Sequence, residues 1–387
     1  MVSQSPQIDA LNWEIDECGG HANVHEAIQK TNWTNLCQRA SELNNGLICA
    51  PFSKRTNGMN NLVCILEFSD CTRWVARISL HSSAAASAKL RSEIAVMQLI
   101  KERCECPVPE IFAYETDSNN SVGVPYILME FLPGNTAMDS AGGYEVHGGR
   151  IPQVHRQRFY RSVAKCHAQF TALRFPKIGT VFRNQKGEYD IGPFPNIGGP
   201  FDCATSFYRA WAAHAKFPLG TGLILEMMKG GPAERVLQSI NEFPSRIMAA
   251  ASWISSNDHG PFPLCHADFY HSNIVVDENF EVLGIIDWES ACTLPLELVD
   301  FPCFLSTMPI SFGSPDNYDE NGQPIDRELK QRWEERKDYV QMIREVEHED
   351  NLLSTCLTNV RNLALAYLMT SYRGGKLGFY DTVMDGV

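Results

Sequence analysis

The stretch Leu264-Cys265-His266-Ala267-Asp268-Phe269-Tyr270-His271-Ser272-Asn273-Ile274-Val275-Val276-Asp277, followed by Val282-Leu283-Gly284-Ile285-Ile286-Asp287-Trp288-Glu289, decides the reading of this chain. Residues 274–276 are a β-branched run, 277–280 a polar turn and 282–286 a second apolar run, so the spacing predicts a β-hairpin. A loop ahead of it carries His266, Asp268 and Asn273, and its second strand delivers Asp287. Asp and Asn are common turn formers, which accounts for Asp277 and Asn279. It does not account for a His, an Asp, an Asn and an Asp set around two apolar strands.

Phosphoryl transfer from ATP asks little covalent chemistry of a protein. It needs an acceptor hydroxyl held in line, a group to take its proton, and metal ions on the phosphate oxygens. Asp268 can orient the hydroxyl and accept the proton. Asn273, five residues later, and Asp287, beyond the hairpin, offer hard oxygen ligands for Mg²⁺.

His266-x-Asp268-x4-Asn273 followed by Ile286-Asp287-Trp288-Glu289 resembles the catalytic core of the aminoglycoside phosphotransferase/choline kinase family, in phrasing similar to its fungal members. The resemblance implies an α+β, two-lobe protein-kinase-like fold with a small β-rich N-lobe and a larger, mainly helical C-lobe. It implies ATP- and Mg²⁺-dependent phosphorylation of a hydroxyl on a small molecule, with Asp268 and His266 catalytic (His266 supporting the loop) and Asn273 and Asp287 on the metal. Asp287-Trp288-Glu289 resembles the Asp-Phe-Glu of choline and ethanolamine kinases. A carboxylate at Glu289 would support a metal or its waters, or cap the loop. Bacterial members tend to carry Pro-x-x-Asp-Leu after this point, whereas here the run is Pro295-x-Glu297.

Upstream, three β runs are expected: 48–51, 62–68 and 74–80, with a basic, turn-rich loop at 54–61. Gly58 and Asn60 in that loop are candidates to lie over nucleotide phosphates. The third strand carries Arg77 where kinases place a phosphate-binding Lys. Arg forks to phosphate and can take that task, or it can keep its head in solvent. A helix at 84–102 follows, in which Glu93 is the candidate partner of Arg77 or one more solvated charge. The run 126–134 resembles the kinase hinge, which places Glu130, Phe131 and Leu132 at the adenine edge.

The lobe boundary is set there: 1–48 a helical N-terminal extension, 49–131 the nucleotide-binding N-lobe, 132–387 the C-lobe with catalytic loop and acceptor pocket. Helices are expected at 152–173, 207–215, 232–253, 327–349 and 352–372, with a loop and short hairpin at 179–200.

Composition bounds the rest. The chain has 387 residues, 44% hydrophobic and 20% charged, enough for a large core. No apolar run reaches membrane-spanning length, and the first residues lack the basic-then-apolar pattern of a signal peptide. Thirteen irregularly spaced cysteines read as reduced thiols of a cytoplasmic protein. A net charge of −13 argues against nucleic acid or an anionic membrane as partner and favours a cationic or neutral acceptor over a polyanion. The rival readings are a choline- or ethanolamine-kinase-like activity, a non-catalytic nucleotide-binding or scaffolding protein, and a fold recruited to another biosynthetic reaction.

Overall fold

A computed structural model describes residues 11, 13, 22–313, 315–320, 323–349 and 360–385. The expectations for the remaining N-terminal residues, and for a helix over 352–359, lie outside the described residues. In chain order the elements are α1 (Ala22–Lys30), α2 (Trp33–Leu43), β1 (Cys49–Asn57), β2 (Asn61–Phe68), β3 (Arg73–Ser79), α3 (Ala84–Arg103), β4 (Ile111–Glu115), β5 (Tyr126–Glu130), β6 (Asn135–Thr136), α4 (Tyr144–His147) and α5 (Gln153–Ala172). There follow β7 (Arg174–Phe175), β8 (Gly179–Arg183), β9 (Tyr189–Gly192), α6 (Ala204–His214), α7 (Thr221–Met227), α8 (Ala233–Ile254), β10 (Phe262–Cys265), β11 (Ile274–Val276), β12 (Val282–Ile285), β13 (Cys292–Thr293), α9 (Arg327–Glu349), α10 (Val360–Arg373) and α11 (Tyr380–Met384). They form two compact units, residues 1–159 with 271–290, and residues 160–270 with 291–387.

The first unit is built on a five-stranded sheet in the order β1-β2-β3-β5-β4, every pair antiparallel. Leu62, Cys64, Leu66, Trp74, Ala76 and Ile78 alternate onto one face and pack with Leu36 and Ala40 of α2. The Asn32 side chain caps α2 by accepting from Asn35 N, and Ser83 Oγ caps α3 by accepting from Ala86 N at 3.2 Å. The basic segment expected to be a loop is mostly strand: Arg55, Thr56 and Asn57 pair with Cys64, Val63 and Leu62. Arg55 lays its guanidinium 4.9 Å from the Trp33 ring, which gives the charged side chain an apolar seat. Pro51 cannot donate to the ladder, and the register shifts just after it.

A second sheet of this unit, in the order β12-β11-β6, contains the expected hairpin. Asp277 Oδ1 accepts from Asn279 N and Glu281 N at 2.8 Å each and so fixes its turn. Residues 132–136 run onto β11 so closely that a Cβ on Gly134 would sit 2.1 Å from the Val276 carbonyl oxygen.

The second unit is mainly helical. Its core gathers Phe207 and Tyr208 of α6, Ile240, Phe243 and Ile247 of α8, Leu365, Leu368 and Tyr372 of α10, and Tyr380 of α11. A five-stranded sheet in the order β7-β10-β13-β8-β9 supports it. The charged α9 is not solvated all round: Tyr339, Ile343 and Val346 are buried, and buried Glu335 accepts from Tyr160 Oη at 2.6 Å. Among the described residues no helix is long and apolar enough to cross a membrane.

Candidate active site

In the first unit the hairpin, β3 and α3 bring five sequence-predicted residues together. Arg77 is buried, 9% exposed, and Glu93 is 1% exposed, so neither is a solvated charge. Arg77 Nη1 pairs with Glu93 Oε1. Arg77 Nη2 lies 3.2 Å from Asp287 Oδ1 and 3.5 Å from Glu289 Oε2. Asn60 Nδ2 donates to Glu289 Oε1 at 2.9 Å.

Two residues that the sequence did not single out complete the cluster. Lys89 Nζ pairs with Glu289 Oε1. With its amide oxygen turned toward the guanidinium, Asn61 accepts from Arg77 Nε and Nη2 at 3.2 and 2.7 Å. Lys89 precedes Glu93 by four positions, the spacing that stacks side chains on one helix face, and that was the available signal.

The electrostatics follow from burial. Burial works to strip the Arg77 proton, but Glu93, Asp287 and Glu289 outweigh it and hold the guanidinium above its ordinary value. Burial raises the Glu93 carboxyl; Arg77 opposes this, and Asp287 and Glu289 add to it. Glu93 Oε2 has no hydrogen-bond partner among the described residues. A cavity of about 720 Å³, lined in part by Asn60, Asn61, Lys89, Glu93 and Glu289, opens beside the cluster.

Asn273 and Asp287 stand at the same end of the hairpin, because Ile286 N donates to the Asn273 carbonyl at 2.9 Å. Asp287 adopts φ 61°. A non-glycine residue held in this left-handed region stores strain, and such residues gather at functional sites. Its side chain remains 41% exposed. Trp288 is fully buried and donates Nε1–H to the Ile285 carbonyl at 3.0 Å, which anchors the turn between the two carboxylates.

The other predicted residues of this unit lie in the turn after β1 and at or just beyond the end of β5. Gly58 N donates to the Asn61 carbonyl at 3.0 Å, and a Cβ there would meet nothing within 4 Å, so the turn does not demand glycine for close approach. Glu130 N donates to the Glu110 carbonyl at 2.8 Å and Glu130 Oε2 accepts from Glu110 N, so both groups are engaged. Phe131 packs edge-on to Trp13 near Ile65. Leu132 packs over Gly284 of β12.

In the second unit, β10 pairs with β7 and β13 and delivers His266 and Asp268. His266 is buried, its ring 5.6 Å from that of Phe269. Ala267 between them has φ 64°, a second strained position, and Asp268 is exposed. Burial, and secondarily His266, push the imidazole of buried His167 down to about 3. Glu297, whose shifted position was noted in the sequence, is buried and accepts from Ser256 N, Ser256 Oγ and Ser255 Oγ at 2.8–3.1 Å. It closes the end of α8, a structural task.

Comparison with known proteins identifies relatives in sequence and in fold. A subtelomeric hrmA-associated cluster protein of Aspergillus fumigatus is 26% identical over 375 residues, covering 79% of this chain and 72% of that protein. The mitochondrial protein altered inheritance of mitochondria protein 9 of Candida dubliniensis is 42% identical over 133 residues, 34% of this chain and 21% of that protein. Among solved structures, a candidate fructosamine-3-kinase of Thermobifida fusca superposes with a TM-score of 0.50 at 14% identity, over 90% of this chain and 96% of that one, a likeness of fold alone. The family model APH, described as the phosphotransferase enzyme family, matches residues 52–301. With its β-sheet N-terminal region and helical C-terminal region, this α+β chain belongs to the phosphotransferase enzyme family.

Proposed function

We propose that this chain phosphorylates a hydroxyl group of a small molecule, using ATP and Mg²⁺. The observation that carries the reading is the joining of Arg77, Glu93, Asp287 and Glu289 into one cluster at the end of the hairpin that also bears Asn273.

The donor set suits magnesium. Asn273 offers a carboxamide oxygen, Asp287 and Glu289 carboxylates, all hard ligands. When bound, Mg²⁺ neutralises charge on the phosphate oxygens. Arg77 and Lys89 supply the cationic side of the site, and a phosphate group would compete with Asp287 and Glu289 for Arg77 Nη2. Gly58 and Asn60 cover the phosphate side, and Glu130, Phe131 and Leu132 the adenine side. Asp268 orients the acceptor hydroxyl and takes its proton, and His266, buried behind it, holds the loop.

Asp268→Asn tests the assignment. Nucleotide affinity stays within about twofold while turnover falls by about 10²–10⁴, the usual span for loss of a general base. Full activity in that variant would remove the base assignment.

A second reading, a non-catalytic nucleotide-binding protein, is favoured by one observation: the Arg77 donors are already taken by Glu93, Asp287, Glu289 and Asn61. Nucleotide binding with no ADP release on any hydroxyl acceptor would select it.

A further inference from the structure

We propose that Leu11 and Trp13 occupy the seat of the adenine base, so that nucleotide enters this chain only by displacing them. The proposal rests on the nucleotide reading above and adds a regulation of that same site, an autoinhibitory contact supplied by the chain itself.

The register of the five-stranded sheet in the first unit identifies the face concerned. Val63 pairs with Arg77, and Ile65 with Val75. Leu62, Cys64, Leu66, Trp74, Ala76 and Ile78 pack with α2 on the opposite face. Side chains alternate along a strand, so Val63, Ile65, Val75 and Arg77 share one face. It is the face on which Arg77 meets Glu93 and Asp287. Ile65 and Val75 stand one side-chain step, about 7 Å, along the strands from Arg77. A nucleotide with its phosphates at Arg77 and its base edge at residues 130–132 crosses this face. Ile65 and Val75 are then the apolar surface on which the base lies.

That surface is taken. Leu11 is 4% exposed and packs on Ile65, which is fully buried, with Trp13, Phe52 and Phe131 around them. The Trp13 ring meets the Phe131 ring edge-on, 6.4 Å between centroids, at one of the residues expected to meet the adenine edge. Lys54 of β1 donates from Nζ to the Leu11 carbonyl at 3.1 Å and ties the backbone down. Close-packed side chains leave no room for a ring between them, so a base cannot lie on Ile65 while Leu11 covers it. The cavity of about 720 Å³ lies elsewhere: Ile65, Val75 and Phe131 are not among its lining residues.

The hold consists of an aliphatic side chain, an edge-on ring pair and a lysine–carbonyl bond. A nucleotide competes with these through its own base and phosphate contacts. Its apparent affinity is then its intrinsic affinity reduced by the fraction of molecules in which Leu11 has left the seat. Weakening the hold raises that fraction, and with it the affinity.

The test uses the full chain with Leu11→Ser and, separately, Trp13→Ala. Calorimetry reads the binding of ATP and of inorganic tripolyphosphate, each with Mg²⁺, on the same samples. Tripolyphosphate needs the Arg77 cluster but not the seat of the base, so it also reports that the variants are folded. Each variant is expected to bind ATP about tenfold or more tightly than the unmodified chain, with tripolyphosphate affinity unchanged. Hydrogen exchange of the peptides that hold Leu11 and Trp13 is expected to accelerate when a non-hydrolysable ATP analogue saturates the unmodified chain. ATP affinity that stays the same or falls in both variants, a parallel change in tripolyphosphate affinity, or slower exchange on binding overturns the proposal; the last would make these residues a wall of the site. Absence of ATP binding by the unmodified chain and both variants removes the nucleotide reading itself, and this proposal with it.

Discussion

The guanidinium of Arg77 stands 3.2 Å from the carboxylate of Asp287, although the two residues are 210 positions apart. The same guanidinium holds Glu93 through its other terminal nitrogen. One buried cation thus ties the third strand, helix α3 and the hairpin end into a single electrostatic unit.

Removing one partner of a buried pair leaves the other uncompensated. Arg77→Met is therefore expected to destabilise the protein by about 3–5 kcal/mol, whereas replacing Arg77 and Glu93 together by apolar residues costs clearly less than the sum of the single changes. Urea denaturation of the two single variants and the double variant checks this. Additive losses would mean that the two charges do not act as a pair.

Glu289 is held by Lys89, Asn60 and Arg77. If its charge serves the metal side, Glu289→Gln lowers Mg²⁺-dependent nucleotide affinity about tenfold, a difference of ~1.4 kcal/mol, and leaves metal-free binding alone. A Mg²⁺ titration at fixed nucleotide separates the two. Unchanged Mg²⁺ dependence in a destabilised variant would reduce Glu289 to a loop anchor.

His167 gives the fold a defined acid sensitivity. Its folded value of about 3 lies below the ordinary 6.5, so between these values the unfolded chain binds a proton that the folded chain refuses. The stability involved is fully present above pH 6.5 and is lost as pH falls toward 3, by up to about 4–5 kcal/mol. His167→Gln flattens this slope. Urea midpoints measured from pH 4 to 7.5 read it out, and equal slopes in both proteins would show that His167 does not carry the effect.

Two glycines separate steric need from sequence habit. Gly134→Ala drives a methyl into the Val276 backbone and is expected to cost about 1–3 kcal/mol or more. Gly58→Ala enters open space and should change stability by less than about 0.5 kcal/mol. Thermal melts of the two variants make the comparison, and equal effects would contradict it.

Much of this was legible because it is local. The hairpin could be read from Ile274-Val275-Val276, the polar turn and Val282-Leu283-Gly284-Ile285, since alternation and turn chemistry act over a few residues. Arg77 and Glu93 were nameable only through the resemblance to kinases, which place a cation on this strand and a Glu on the helix after it. The strand nature of Arg55, Thr56 and Asn57 was not legible, because it depends on pairing with β2 and on the Trp33 ring. Lys89 could be placed only on the face of Glu93, four positions on, and the contacts of Lys89 with Glu289 and of Asn61 with Arg77 are tertiary. The burial of Glu297 likewise follows from where α8 ends, a tertiary fact.

The most direct test of the central claim is calorimetric titration of ATP, with and without Mg²⁺, into the unmodified chain and into Asp287→Ala. Metal-dependent ATP binding that Asp287→Ala abolishes is the predicted result. No binding to the unmodified chain at millimolar ATP, or binding that neither Mg²⁺ nor Asp287→Ala alters, would contradict the assignment of this cluster as the nucleotide–metal site.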